Sequence, residues 1–346
     1  MTQPMNRRRA LGLAATAAAT AATAATVGAG VVLGATPAAA DPAPAPPADP
    51  SQIPAFVARV YRQETQRAGG IWNGYVSVAN AGGTIDVAVD DFSNDLVEAF
   101  SVNKVAVATA VLDKVDRGLL TLDQHIDVTA AIIVPGGDGI FGLDGAYPSS
   151  VTLGHALAAL LTISDDTSVR LCGLVAPALE INQILVAKGF PNTQVQPVAN
   201  PNRFFLGLTT PRETHDLLQA LVRGTLLSPT STAYLLGLLR SPIAFTDGIR
   251  RVMSSDERLR VATKAGWFDD GRNEAGIMFD EAGLPVLTYS LFAHGQAHPE
   301  DFGATHPAVQ ARAVMGRLFL AGVGALSGTQ VPTPHPRALY APSNGA

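Results

Sequence analysis

The sequence predicts an α+β fold in which an antiparallel five-stranded sheet is flanked by N- and C-terminal helices and carries an inserted all-helical lobe. Two runs of alternating residues near the start, on either side of residues 80–83, predict a hairpin. The middle of the chain has mainly helical periodicity, and three extended runs precede a last helix. One sheet that joins the late strands to the early hairpin, with the terminal helices on it, is the simplest packing.

The first elements are a helix and a hairpin. Residues 52–67 place apolar side chains at helical spacing, and Gly69-Gly70 ends the run. Residues 71–79 and 84–89 alternate in the manner of two strands. An apolar helix then begins near Ser101 and is stopped by Gly118.

The middle of the chain predicts helices separated by loops. The helical segments are 151–161, 181–188 and 214–222, and the last of these opens with an N-cap signal at Thr210. Residues 190–209 are rich in Asn, Gln and Pro, so we expect a long irregular loop there.

The last part of the chain returns to strands. We expect strands at 258–265, 276–280 and 284–293, followed by a helix at 307–321. The folded domain is therefore expected to cover residues 51–326. Within it, we assign a sheet lobe to about 51–98 and 235–326, and a helical lobe to about 99–234.

The first 40 residues predict an export signal. Three adjacent arginines precede a weakly apolar Ala/Thr-rich run and small residues before a cleavage after Ala40, which resembles a twin-arginine signal peptide. A retained membrane anchor is the alternative, because residues 10–32 are numerous enough to span a bilayer. Residues 41–50 form a proline-rich linker, and residues 327–346 are expected to be a disordered tail.

Charge and cysteine content limit the possible partners. The chain has 24 basic and 29 acidic residues, and removal of residues 1–40 leaves 21 basic residues and a formal net charge near −8. This charge disfavours nucleic acid as a partner. Cys172 is the only cysteine, so there is no internal disulfide, and we expect it as a small buried side chain. We expect a monomer with no metal, no cofactor and no membrane insertion after signal cleavage.

Ser101 and Lys104 form the first candidate catalytic pair. At positions i and i+3 they share one helix face, and the apolar run from Val105 to Leu112 predicts a helix inside a core. A lysine desolvated there can lose its proton and accept that of the serine hydroxyl. Ser-x-x-Lys alone is not specific, since chance alone produces it on the order of once in a chain of this length.

Two further motifs follow in chain order. Ser164-Asp165-Asp166 interrupts the helical middle, and Thr263-Lys264-Ala265-Gly266 ends a late strand. A glycine-rich loop contains Gly137-x-Gly139-x-x-Gly142, but no strand-to-helix context surrounds it, so a dinucleotide site is disfavoured.

The order Ser-x-x-Lys, Ser-Asp-Asp, Lys-Ala-Gly resembles the serine β-lactamase and penicillin-binding-protein superfamily, and its spacing is most similar to class A β-lactamases. The resemblance covers nearly the whole domain and implies the β-lactamase/transpeptidase-like fold. It implies that Ser101 is the acylated nucleophile and Lys104 a base or proton relay. It also implies that Ser164 passes a proton towards the leaving nitrogen, while Lys264 attracts a substrate carboxylate.

The same resemblance implies substrate-binding groups. The backbone N–H groups of Ser101 and of a residue after Gly266, expected to be Phe268, would form an oxyanion hole. Ala265 stands where the family has a hydroxyl that binds a carboxylate. Arg250 resembles a carboxylate-binding arginine of part of the family, and a solvated loop arginine is the alternative.

The chain departs from the family in its long loop. Members that hydrolyse β-lactams carry Arg-x-Glu-Pro-x-Leu-Asn, and residues 194–200 here are Gln-Val-Gln-Pro-Val-Ala-Asn. Gln196 replaces the glutamate that activates the deacylating water, so Gln196 and Asn200 could hold a water without deprotonating it. Gln194 and Gly207 replace the ionic clamp on this loop.

Asp166 is a further departure, because it replaces a substrate-binding amide. An ionised carboxylate cannot donate a hydrogen bond to a substrate carbonyl.

These residues predict an exported, metal-free serine hydrolase that forms an acyl-enzyme with β-lactams or related cell-wall amides and esters, with impaired deacylation. The substrate is expected to be a β-lactam or a peptidoglycan stem peptide. A D-Ala-D-Ala carboxypeptidase or an esterase is the second hypothesis. The third is a binding protein that traps its ligand as a dead-end adduct.

Overall fold

The computed structural model describes residues 44–80, 84–143, 145–324, 326, 334–343 and 345. The predicted signal peptide lies outside these residues. Within them, no single helix is long and apolar enough to cross a membrane. One pair of consecutive helices, Asp166–Val175 and Ala178–Ala187, meets the length and composition criteria only when taken together, across a bend of 80°.

Ten strands and nine helices, besides short 3₁₀ turns, form the described part of the chain. The strands are β1 Ile71–Ala79, β2 Ile85–Asp91, β3 Val97–Glu98, β4 His125–Val128, β5 Ser149–Thr152, β6 Gln194–Pro197, β7 Phe204–Thr209, β8 Val261–Phe268, β9 Gly271–Phe279 and β10 Pro285–His294. The helices are α1 Ile53–Ala68, α2 Lys104–Asp116, α3 Leu153–Thr162, α4 Asp166–Val175, α5 Ala178–Ala187, α6 Pro211–Val222, α7 Pro229–Leu239, α8 Ser255–Arg258 and α9 Pro307–Val323.

The main sheet has five antiparallel strands in the order β2-β1-β10-β9-β8. The α+β prediction is therefore confirmed, with the early hairpin and the three late strands in one sheet. The apolar faces of α1 and α9 pack together on one side of this sheet, through residues such as Ile53, Val57 and Phe319. The edge strand β8 leaves its outer side open to the helical lobe.

The other face of the sheet meets a core built around α2. Every residue of this helix from Lys104 to Leu112 is buried, and α3, α4, α5 and α7 pack around it. α7 belongs to this core through Leu235, Leu236 and Leu239. The lobe boundary expected at residue 235 therefore falls inside a helix, and the helical lobe extends to its end.

The stretch expected as a long irregular loop is a hairpin instead. β6 and β7 pair antiparallel, and β7 also pairs with β3, which gives a small sheet in the order β3-β7-β6. Gly207 has φ +69°, and a Cβ there would lie 2.2 Å from the Gln194 carbonyl oxygen. Only glycine fits this approach of the two strands, so the pairing replaces the ionic clamp of the family pattern.

Part of the predicted disordered tail packs on the domain. The His335 N–H donates to the Gly283 carbonyl over 2.7 Å, and the His335 ring lies edge-on to Phe279 with the centroids 6.2 Å apart. The His335 side chain is also 3.0 Å from the Val222 carbonyl. His335 is therefore packed against the domain, although the sequence predicted a disordered tail there.

Candidate active site

Ser101 lies in a 3₁₀ turn, Phe100–Asn103, that leads directly into α2, so Lys104 is the first residue of the buried helix. The Asn103 amide holds the turn against the hairpin by donating to the carbonyls of Leu206 and Leu208, over 2.7 and 3.0 Å. Ser101 is partly exposed, and its hydroxyl makes no hydrogen bond with any described residue. It is therefore accessible to an incoming substrate.

Lys104 is completely buried, and all three of its N–H donors have acceptors. Nζ donates to the Ser164 carbonyl, to Ser164 Oγ over 3.0 Å and to Asp166 Oδ1 over 2.8 Å. Burial lowers the pKa of Lys104, and the Asp166 carboxylate opposes this shift. The amine is thus moved towards the neutral form that a general base requires.

Ser164 joins the two lysines of the site. Its hydroxyl accepts from Lys104 Nζ and from Lys264 Nζ, each over 3.0 Å. The residue has φ +57°, a conformation that side chains other than glycine rarely adopt and that is often found at functional sites. Lys264 is 3% exposed, and burial, followed by the nearby Lys104 charge, holds its pKa well below the ordinary value. The sequence motifs thus meet in one hydrogen-bonded cluster.

Gly266 brings strand β8 against the Ser101 turn. A Cβ at this position would lie 2.6 Å from the Ser101 nitrogen and 2.8 Å from the Val102 nitrogen. No side chain fits there, so glycine is required for the close approach. Ala265 is buried, and its carbonyl accepts from Lys264 Nζ over 2.7 Å.

The strand register shows that the backbone N–H expected as the second oxyanion donor belongs to Trp267 and not to Phe268. The Phe279 N–H donates to the Arg260 carbonyl, so Arg260 and every second residue after it, including Phe268, turn their backbone groups towards β9. Trp267 presents its N–H to the open edge of β8. The Phe268 ring is mostly exposed and packs against Phe100, with the centroids 6.1 Å apart.

Arg250 does not line the site. It is fully buried, and its guanidinium donates to backbone carbonyls, which are those of Arg240, Ser241, Ala244 and Arg258. Neither the expected substrate contact nor the solvated alternative is present, because this side chain holds together the segment that precedes β8. Its sequence position beside Arg251 carries no signal of that burial.

Neither Gln196 nor Asn200 forms one of the hydrogen bonds of the two lysines. Gln196 is exposed on β6, the outer strand of the small sheet, and β7 separates it from the Ser101 turn. Asn200 is exposed and accepts from the Asn202 N–H over 3.0 Å. Gln194 donates to the Thr193 carbonyl over 3.2 Å. No carboxylate takes the place of the family glutamate on this hairpin.

The backbone of the glycine-rich loop binds the Asp165 carboxylate. Asp165 Oδ2 accepts from the N–H groups of Ile140 and Phe141, over 2.7 and 3.1 Å. A Cβ at Gly139 would lie 2.0 Å from the same oxygen, so the loop requires glycine to approach it. The glycines of this motif therefore serve an internal carboxylate and not a phosphate.

Asp138 is a site residue that the sequence did not indicate. Its N–H donates to Asp166 Oδ2 and its carbonyl accepts from the Asp166 N–H, both over 3.0 Å. Burial and the Asp166 charge raise the pKa of Asp138, against the charges of Lys104 and Lys264. It was missed because a glycine-rich loop gives no periodic signal that places it beside α4. Among the described residues, this site included, no group of three or more His, Cys, Asp or Glu side chains is positioned to hold a metal ion.

Solved structures share this fold at low sequence identity. A β-lactamase from Sphaerobacter thermophilus is 21% identical, with a TM-score of 0.64 over 78% of this chain and 97% of its own. The acyl-enzyme complex of a PBP-A variant with penicillin G is 18% identical, with a TM-score of 0.61 over 78% of this chain and 96% of its own.

An ancestral class A β-lactamase is 20% identical, with a TM-score of 0.61 over 76% of this chain and 98% of its own. The comparison with curated proteins finds no match. The family model of the β-lactamase enzyme family matches residues 66–321, which include Ser101, Lys104, Ser164 and Lys264. The chain therefore belongs to the β-lactamase enzyme family, as the order of its motifs indicated.

Proposed function

We propose that this protein is an exported serine hydrolase that β-lactams, or related cell-wall amides and esters, acylate at Ser101. The observation that carries the proposal is that Lys104, one turn after the accessible Ser101, shares the Ser164 hydroxyl with Lys264. Buried amines with lowered pKa values suit proton transfer near neutral pH. The family match supports the acyl-transfer chemistry.

The reaction that fits the cluster proceeds through an ester. The Ser101 oxygen attacks the carbonyl carbon and its proton passes to Lys104. The N–H groups of Ser101 and Trp267 stabilise the oxyanion. When the carbon–nitrogen bond breaks, the proton reaches the leaving nitrogen through Ser164, which contacts both lysines. Lys264 supplies positive charge for a substrate carboxylate.

We infer that hydrolysis of the acyl-enzyme is the slow step of this reaction. Hydrolysis of the ester needs a water activated by a base, and the hairpin carries Gln196 where the family has its glutamate. Loss of such a base typically costs about a hundred- to ten-thousandfold in rate. Slow release favours a long-lived adduct, as in a protein that traps its ligand. A carboxypeptidase or an esterase is the competing function, because it shares the acyl-serine chemistry without needing the family glutamate.

Intact-mass measurements after incubation with benzylpenicillin test the proposal. We expect the protein to gain the mass of one penicillin and to lose it slowly. Ser101→Ala should abolish the adduct, and Ser51→Ala, which alters an exposed serine outside the site, should form it normally. An adduct that survives in Ser101→Ala, or the lack of any adduct in the unmodified protein, would overturn acylation at Ser101.

Export after folding is the second part of the proposal, and the arginines at 7–9 support it. Replacement of all three by lysine should leave the precursor in the cytoplasm, because lysines do not substitute for a twin-arginine pair. Fractionation of cells that carry either form measures this. Normal secretion of the lysine variant would instead assign export to the general route.

A further inference from the structure

A cleft of about 360 Å³ opens between α4 and the β6–β7 hairpin. Its volume lies within the range of small-molecule binding sites. Two arginines, Arg170 and Arg203, line it together with the apolar side chains of Val198 and Phe205. None of these four residues takes part in the cluster around Ser164.

The two arginines face the cleft without an acidic partner. Arg170 Nη1 donates to the carbonyls of Ile132 and Ile133, and Arg203 Nη2 donates to the Ala131 carbonyl over 2.7 Å. Among the described residues, neither guanidinium forms an ion pair. Each therefore keeps N–H donors beyond those that these carbonyls use.

The charges of the two guanidiniums also repel each other. The pKa of Arg170 is lowered, first by burial and then by the positive charge of Arg203. A protein whose acidic residues outnumber its basic ones thus keeps side by side two cations that form no ion pair among the described residues, and only the nearby Asp166 charge opposes the lowering of the Arg170 pKa. An anion bound between them would relieve that cost.

The cleft adjoins the proposed acylation centre. Arg170 follows Asp166 by four residues on α4, so the two side chains lie on the same helix face. The Asp166 carboxylate is also close enough to act on the Arg170 charge, where it opposes the lowering of the Arg170 pKa. A ligand bound covalently at Ser101 could therefore extend past Asp166 into the cleft.

The cleft also offers apolar surface. Phe205 is 66% exposed and Val198 is 38% exposed, although residues of these types are usually buried. An aromatic or alkyl group of a ligand would cover them, while a planar carboxylate matches the fork of donors on an arginine.

We propose that this cleft is a subsite for a carboxylate attached to a small aromatic or alkyl group on the acyl portion of the substrate. It is distinct from the carboxylate that Lys264 attracts. The link to acylation depends on the proposed function, whereas binding of the anion to the cleft does not.

Equilibrium binding to Ser101→Ala tests the cleft without acylation. Phenylacetate and phenylacetamide have the same shape and differ in charge, and calorimetry measures both. We expect phenylacetate to bind at least tenfold more tightly. Arg203→Gln should remove this preference, whereas Arg62→Gln, which deletes an exposed charge on α1, should keep it.

A second variant distinguishes loss of the binding site from misfolding of Arg203→Gln. Val198→Glu places a carboxylate at the cleft and leaves the loop contacts of both arginines in place, so it should also abolish phenylacetate binding. Equal binding of the two probes, or binding that survives in both Arg203→Gln and Val198→Glu, would overturn the subsite.

Acylation rates then connect the cleft to Ser101. Carbenicillin is benzylpenicillin with one additional carboxylate on its aromatic side chain. We expect carbenicillin to acylate the unmodified protein at least fivefold faster than benzylpenicillin, and Arg203→Gln to remove that advantage. An advantage that persists in Arg203→Gln, or is missing from the unmodified protein, would contradict a role in substrate selection. Lack of acylation by both penicillins would reject the proposed function and leave the phenylacetate result to decide the subsite.

Discussion

A carboxylate beside the buried Lys104 alters the pKa of the group that we propose as the catalytic base. Asp166 bonds Lys104 over 2.8 Å and favours its charged form, whereas burial favours the neutral form. An amide at the same position would accept the same hydrogen bond without the charge. The residue found here therefore holds the lysine pKa higher than an amide would.

The variant Asp166→Asn tests this effect. Removal of the negative charge lowers the pKa of Lys104 further, so the neutral base persists to lower pH. We expect the acidic limb of the pH profile for acylation to move to lower pH. Asp95→Asn, a change at an exposed aspartate away from the site, should leave the profile unchanged. An acidic limb that stays in place or moves upward would contradict the assignment of Lys104 as base.

At the scale of single elements, the close approach of β8 to the Ser101 turn depends on the absence of a side chain at Gly266. The 2.6 Å between a Cβ at Gly266 and the Ser101 nitrogen forces the turn to shift in Gly266→Ala. We expect acylation to slow by about a hundredfold, the usual effect of losing an oxyanion donor. Gly237→Ala is the matched control, since nothing lies within 4 Å of its Cβ. Unchanged acylation in Gly266→Ala would show that the turn is not held by this strand.

The position of Gln196 on the β6–β7 hairpin leads to a second prediction for a single element. Gln196 is exposed on the outer strand β6, and β7 lies between it and the Ser101 turn. We therefore expect Gln196→Glu to leave the lifetime of a penicillin adduct within about threefold, far less than a positioned base contributes. Time-resolved mass spectrometry measures the lifetime. A tenfold shortening would show that the hairpin rearranges to bring residue 196 to the ester.

For the whole molecule, burial of Lys264 in the site lowers the free energy of unfolding. Lys264 is buried, and its pKa in the folded state is well below the ordinary value of 10.5. The charged form is disfavoured by folding, so the cost is absent above pH 10.5 and grows as the pH falls towards the lowered pKa.

Lys264→Met should therefore raise the melting temperature by a few degrees while it abolishes acylation. Because the cost grows at low pH, the gain should be larger at pH 6 than at pH 9, which thermal unfolding at both values would show. Lys188→Met, which removes a lysine paired with Asp113 over 2.8 Å, should not raise the melting temperature. A less stable Lys264→Met would mean that the bonds to Ser164 outweigh the burial of charge.

Local patterns were sufficient for the fold class and for most elements. The predicted strand 71–79 agrees with β1 residue for residue, and Thr210 accepts from the Glu213 N–H as the cap of α6. Alternation, helical spacing and capping are interactions between near neighbours in the chain, so they can be recognised without the structure. The order of three motifs likewise led to the β-lactamase enzyme family.

What the sequence could not determine depends on contacts between distant segments. The hairpin at 194–209 has weak alternation and is held by long-range contacts, such as those of Asn103, so it was expected as a loop. The burial of Arg250 and the choice of Trp267 over Phe268 follow from register and packing. The sequence by itself determined which elements and motifs exist. Tertiary structure decided which side chains meet, because strand pairing brings together residues that are far apart in the chain.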